Sequence, residues 1–343
     1  MSGLAGRRIL FIGIGFYDYE KCVVARLREQ GAEVVAFEDR PEVMREGLRA
    51  GLLRRLRWGA SRVAHRHEQR ILDQATDYRF DQVIVIKGTE LSTWLLGELR
   101  VRLPGAEFVL YQWDSLARLP GIQERLPFFD RVLTFDRHDA LAHPELAFRP
   151  LFFRESTGIR RDEIPACDID ISFVGWLHSD RLAAVRRMEA DARAQGLSIY
   201  VYLFTGVFTW LRLLAKGNAN GIYLRPLPYG KLIEINKRSK CILDLPHAAQ
   251  TGLTMRAIEA LGLGKKLITT ATDISNYDFY AAANVKVLHG DASTIDRAFV
   301  ERAPAPVPTS VVRRYSLDAW IADVAGAGGR RSLAPEAGTG NGY

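Results

Sequence analysis

This chain of 343 residues has little that would cross-link it or carry it through a membrane. Its three cysteines, Cys22, Cys167 and Cys241, lie far apart and form no CxxC pair. That argues against a disulfide framework and leaves all three as packing residues. No apolar run approaches the roughly 18 residues that a membrane-spanning helix needs. The amino terminus enters a strand-like segment at once, without the apolar core and cleavage site of an export signal, so a cytoplasmic location is expected. No metal-ligand spacing of His, Cys, Asp or Glu is recognised, so no metal is expected. Gly13-Ile14-Gly15 begins a dinucleotide fingerprint, but Asp18 stands where the third glycine belongs, which argues against NAD or FAD.

Charge is unevenly spread. Lys and Arg number 47 against 40 Asp and Glu, a net +7. Much of the excess falls in 40–70, where Arg45, Arg49, Arg54, Arg55, Arg57, Arg62, Arg66 and Arg70 interleave with Leu48, Leu52, Leu53, Leu56 and Trp58. Such a stretch either lies on an anionic membrane or is the solvated face of a helix packed on its own domain. No recognised nucleic-acid motif accompanies the charge, so no nucleic-acid partner is expected.

The hydrophobic pattern alternates strands and helices. Strands are predicted at 8–13, 33–37, 82–87, 107–112 and 131–135, with helices between them. A polar, charged stretch at 152–166 reads as a linker. The pattern then restarts, with strands at 169–174, 198–204, 241–245, 266–270 and 285–288. Alternation of this kind predicts parallel sheets with helices on both faces. The expected class is α/β: a first Rossmann-like domain over 1–152, a second over 167–325, and a disordered Gly- and Ala-rich tail over 326–343.

Ligands of such sheets bind at the carboxyl ends of the strands, which selects the candidate residues. After the first strand come the glycine turn and then Tyr17, Asp18 and Tyr19. They either face an acceptor or simply form a tight turn. After the third come Lys87 and Glu90, joined to each other or bound to acceptor. After the fourth comes Asp114 beside Trp113, either a general base next to a sugar-stacking ring or a helix cap. Asp136 after the fifth reads more simply as a cap. In the second half, Gly175 and then Asp180 and Arg181 follow the first strand. Asp180 reads as an N-cap, and Arg181 is a candidate phosphate ligand, with a surface arginine as the alternative.

The densest cluster is 244–270. A strand end is followed by His247, Gln250, Thr251, Gly252 and Thr254, then by a helix carrying Arg256 and Glu259. A helix start near 251–254 suits an anion. Glu259 on an otherwise apolar helix needs a partner to offset its burial, and ribose hydroxyls would supply one. The segment 204–217, with Phe208, Trp210, Leu211 and Leu214, reads equally as an apolar docking surface or an interior helix.

From 168 to about 320 the chain resembles the carboxyl domain of GT-B glycosyltransferases, and within them the CgeB-like and lipopolysaccharide or capsular polysaccharide group. The resemblance rests on IleSerPheValGly at 171–175, on 244–247, on 252–270 and on TyrSerLeuAspAlaTrp at 315–320. It implies two domains facing across a cleft. It also implies transfer of a sugar from a nucleotide diphosphate donor to a glycan or lipid-linked acceptor, with no metal and no cofactor beyond the donor. Glu259 would hold the ribose, and Gly175, Arg181 and the helix start would hold the diphosphate. Many retaining members carry a second glutamate where this chain has Thr251. The resemblance therefore leaves the base as Asp114 or Asp18 if the enzyme inverts, and sets His247 beside the reacting sugar if it retains. The expected setting is surface polysaccharide or lipopolysaccharide synthesis at the inner face of the membrane. The competing classes are a nucleotide-sugar epimerase and a non-catalytic nucleotide- or nucleic-acid-binding module.

Overall fold

The structure is a computed structural model and describes residues 3–15, 18–41, 57–154, 167–177, 181–247, 250–290 and 294–326. The chain divides into two compact units. The first comprises Met1–Pro150, Ala249–Gly252 and Leu317–Tyr343, and the second Leu151–Ala248 and Leu253–Ser316.

Each unit is built on a six-stranded, wholly parallel sheet. In the first unit the strands are β1 (Arg8–Gly13), β2 (Glu33–Glu38), β3 (Gln82–Ile86), β4 (Glu107–Gln112), β5 (Arg131–Thr134) and β6 (Leu146–Phe148), in the order β2-β1-β3-β4-β5-β6. The central strands are buried along nearly their whole length, as sheets covered on both faces require. Leu10, Ile12, Val83, Val85, Phe108 and Leu110 form a core with Leu95, Leu96 and Leu99 of the Thr93–Arg102 helix and with Ile71, Leu72 and Ala75 of the Arg57–Thr76 helix. The latter helix resolves part of the basic stretch. Arg62, Arg66 and Arg70 are exposed, while Ile71 and Leu72 are buried, so this half packs on its own domain with its arginines outward. Residues 42–56 lie outside the described residues.

In the second unit the strands are β7 (Ile169–Trp176), β8 (Ile199–Phe204), β9 (Ile222–Tyr223), β10 (Ser239–Asp244), β11 (Lys266–Thr269) and β12 (Val285–Val287), in the order β12-β11-β10-β7-β8-β9. Numbered within the unit this is 3-2-1-4-5-6, the classic dinucleotide-fold order. Its chain path reverses between β7 and β10, which opens a crevice at their carboxyl ends.

The α/β class with two Rossmann-like sheets is thus as the sequence predicts. The boundary of the second domain differs at its end. The Leu317–Val324 helix, read from sequence as closing the second domain, belongs to the first unit. Arginines hold it there. Arg26 makes a bidentate pair with Asp318 at 2.6 Å to each oxygen, and Arg149 pairs with Asp323 at 2.8 Å. Arg131 donates to the carbonyls of Asp323 (3.0 Å) and Val324 (2.8 Å), and Arg7 to that of Ala325 (2.8 Å), so cations meet the negative end of the helix. Trp320 packs edge-on to Tyr111, with ring centroids 4.9 Å apart.

Candidate functional site

The crevice between β7 and β10 collects most of the second-unit candidates. β7 ends in Gly175 and Trp176, and β10 in the fully buried Asp244. Arg181, the first residue of the Arg181–Ala194 helix, turns back over both strand ends. It donates to the carbonyls of Trp176 (2.8 Å) and Leu245 (2.5 Å). Arg256 enters from the Met255–Gly262 helix and donates to Asp244 (2.6 Å) and to the carbonyl of Val174 (2.7 Å). A Cβ at position 175 would stand 3.2 Å from the Arg256 guanidinium and 3.2 Å from the Phe173 ring, so the glycine leaves room for the arginine. Two guanidinium groups therefore converge where one carboxylate offsets them. Burial, and then the nearby Arg256 charge, lower the pKa of Arg181 to about 10 against the opposing pull of Asp244. An anion arriving there would relieve that repulsion.

Thr254 caps the Met255–Gly262 helix. Its hydroxyl accepts from the Ala257 amide (3.2 Å) and donates to Asp244 (3.0 Å). Thr269 also donates to Asp244, at 3.2 Å. Asp244 is thus the hub of the crevice, and the sequence reading gave it no role. Glu259, one turn into the helix, is buried, and the Tyr229 hydroxyl donates to it at 3.0 Å. The partner expected of a ribose is supplied at least in part by the protein. Tyr229 in turn lies under the Arg154 guanidinium, 4.0 Å from the ring centroid. His247 is half-buried three residues past β10. His178 and Asp180 lie outside the described residues.

Gln250, Thr251 and Gly252 lie just before this helix. The helix begins at Met255, and these three residues belong to the first unit. Thr251 donates to Asp136 at 2.5 Å and the Gly252 amide to the same oxygen at 3.0 Å, while Gln250 stands 3.5 Å from Arg118. A Cβ on Gly252 would collide with the Phe135 ring at 2.6 Å. Asp136 does cap its helix, accepting from the His138 amide at 3.0 Å, and also takes the Ser115 hydroxyl.

The first-unit candidates sit at the ends of β1 to β4. The glycine turn after β1 is filled by the protein itself. The Glu20 carboxylate accepts from the amides of Ile14 (2.5 Å) and Gly15 (2.6 Å), and a Cβ on Gly13 would lie 2.5 Å from it. The amides that hold a pyrophosphate in dinucleotide folds are therefore taken, which adds a steric and electrostatic reason against NAD. Asp18 and Lys87 are the non-glycine residues with positive φ among the described residues, 59° and 65°. Asp18 is exposed and paired with Lys21 at 2.6 Å. Lys87 reaches Asp114 at 2.7 Å, and Arg118 closes on the other oxygen at 3.0 Å. Lys87 and Glu90 are therefore not a pair; Glu90 stands 3.9 Å from Arg40. Asp114 is not a cap either, since Ser115 holds that position before the Leu116–Arg118 turn. Trp113 is buried, edge-on to Tyr19 and Tyr111 with centroids 6.2 Å away in each case, so it offers no stacking face. Tyr17 lies outside the described residues.

One buried acid was not anticipated. Asp39 follows β2, and neither of its oxygens makes a hydrogen bond among the described residues; Arg40 stands 3.5 Å away. Burial, with Glu90 and Glu20 nearby, raises its pKa to about 7 against the pull of Arg40. Among the described residues no group of His, Cys, Asp and Glu is arranged to hold a metal ion, and no helix is long and apolar enough to cross a membrane.

No protein-family model matches the chain, and no curated protein does. Solved structures similar to it include an alpha-glucosyltransferase in complex with UDP and DNA, 13% identical over 82% of this chain and 81% of that one, with a TM-score of 0.49. The heptosyltransferase WaaC of E. coli with ADP-2-deoxy-2-fluoro heptose is 12% identical over 84% and 94%, with a TM-score of 0.38. A putative UDP-N-acetylglucosamine 2-epimerase from Listeria monocytogenes is 11% identical over 83% and 84%, with a TM-score of 0.44.

Proposed function

We propose that the protein is a GT-B glycosyltransferase that binds a nucleoside-diphosphate sugar at the β7/β10 crevice and passes the sugar to a glycan or lipid-linked acceptor. The observation that carries this reading is the convergence of Arg181 and Arg256 at a dinucleotide-order switch point. Charge accumulates on the leaving diphosphate as the glycosidic bond breaks, and preorganised guanidinium groups stabilise it without a metal. Arg181 takes the phosphate, and Gly175 allows its close approach. His247 lies by the sugar, and Thr254 presents the helix start. Glu259, shared with Tyr229, holds the ribose. The acceptor belongs with the first unit, whose strand ends carry Asp18 and Asp114. With both its oxygens on cations, Asp114 acts as base only if an acceptor displaces Lys87 or Arg118. Gln250, Thr251 and Gly252 leave the donor set in this reading. The biological setting is synthesis of surface polysaccharide or lipopolysaccharide in the cytoplasm, at the inner face of the membrane.

The experiment is a thermal-shift panel of UDP, GDP, CMP, dTDP, ADP and NAD on wild type, Arg181→Ala and Glu259→Ala. A ligand that binds the folded state raises its melting temperature by mass action. One nucleoside diphosphate should shift wild type and fail to shift Arg181→Ala. A response to NAD alone, or to no nucleotide, ends the proposal. Conversion of the sugar nucleotide without acceptor would point instead to an epimerase.

A further inference from the structure

The second unit carries an unusual concentration of exposed apolar side chains. On the Val207–Ala215 helix, Trp210 and Leu213 turn inward and pack against the core. On the outer side, Val207, Phe208, Leu211 and Leu214 are 53%, 68%, 49% and 51% exposed. Their spacing of i, i+1, i+4 and i+7 puts them on one stripe. Trp176 at the end of β7, and Tyr223 and Leu224 at the β9 edge strand, are also exposed. These residues make up most of the large exposed apolar side chains of the described chain. The aromatic members are ordered: Tyr223 stacks on Tyr202 at 4.1 Å, and Trp176 lies edge-on to Phe204 at 5.3 Å.

The charge along this segment of the chain has one sign. Residues 204–233 contain no Asp or Glu, while Arg212, Lys216, Arg225 and Lys231 fall among them. Arg212, Lys216 and Arg225 are exposed. A protein partner of ordinary composition gives no reason for excluding every acid. An anionic lipid surface does: it repels carboxylates, attracts Lys and Arg within a Debye length, and takes up Phe, Leu, Trp and Tyr at the depth of the headgroups.

We propose that the Val207–Ala215 helix forms a docking surface for an anionic lipid bilayer. Phe208, Leu211 and Leu214 insert into the interface, and Arg212, Lys216 and Arg225 lie against the headgroups. This deepens the membrane-side setting proposed above and rests on that reading only for its biological purpose. It also names a surface other than the basic 40–70 stretch.

The test is flotation of the full chain with vesicles of phosphatidylcholine alone and of phosphatidylcholine with phosphatidylglycerol. Wild type should float with the anionic vesicles, and added salt should weaken the association without abolishing it. The double variant Phe208→Asp/Leu211→Asp should lose at least tenfold in the bound-to-free ratio, and Arg212→Glu/Lys216→Glu should lose binding mainly at low salt. Both pairs are solvent-exposed, and a melting curve with the responding nucleoside diphosphate on each variant reports fold and donor site separately. Retained flotation in both variants would assign the membrane contact elsewhere and overturn the proposal. So would binding to neutral vesicles alone, or wild type that stays unbound. A wild-type dimer that Phe208→Asp splits into monomers would make the stripe a self-association face and overturn it as well.

Discussion

The two units place opposite charges at comparable points. Each has a six-stranded parallel sheet and a glycine near the end of its first strand. In the first unit the turn after β1 closes on the carboxylate of Glu20, with Asp39 buried beside it. In the second, the ends of β7 and β10 are crossed by Arg181 and Arg256. One scaffold thus presents an amide nest already filled by an anion and a crevice short of one. Architecture alone says where a ligand can bind; the side chain that occupies the turn decides its charge. An anion suits the crevice of the second unit better than the turn of the first.

The comparison can be broken most severely at Arg256. Replacing it by Ala leaves Asp244 buried without its cation, and urea denaturation should show a loss of about 3–5 kcal/mol. A loss below about 1 kcal/mol would mean that Asp244 is held by Thr254 and Thr269 alone.

Asp39 tests the acidic side. Its folded pKa of about 7 lies above the unfolded value of 3.8, so the unfolded chain releases its proton first as pH rises. This group's contribution therefore weakens stability progressively between about pH 4 and pH 7, and the deficit is complete above that. Asp39→Asn should remove the slope and gain up to about 4 kcal/mol over wild type at pH 8. Parallel stability profiles for the two proteins from pH 4 to 8 would show that Asp39 ionises freely.

Arg181→Ala sharpens the comparison with less disturbance, since it removes a cation bonded only to carbonyls among the described residues. Donor affinity by calorimetry should fall at least tenfold while the fold persists; unchanged affinity would move the diphosphate elsewhere. The smallest effect is expected at Tyr229→Phe, which deletes one hydrogen bond to buried Glu259. About 0.5–1.5 kcal/mol of stability should go, together with a modest loss of nucleotide affinity if the ribose shares that carboxylate.

Much of this was readable in the chain. The long buried strands and the 253–263 helix announce themselves by apolar runs and glycine stops. β6 and β9 do not, because two or three residues at a sheet edge carry no usable period. Glu259 illustrates both sides. An acid on an apolar helix signals that something must meet it, yet nothing local says that Tyr229, thirty residues earlier, is one answer. Asp136 was legible as a cap because capping is local. Its bonds to Ser115, Thr251 and Gly252 come from distant segments. Lys87 was visible, but its left-handed backbone and its pairing with Asp114 are products of tertiary structure.

The arginine-clasped helix at Leu317–Val324 bears on how the chain is made. The first unit contains the strands β1 to β6, yet Tyr111 and Arg149 receive their cover from a helix that follows the whole second unit in the chain. Throughout synthesis of the second unit, the first must wait with Tyr111 and the buried end of Arg149 exposed. The second unit, whose segments are all translated by then, can mature ahead of it. In a vectorial sense the first unit closes only after the second has been made.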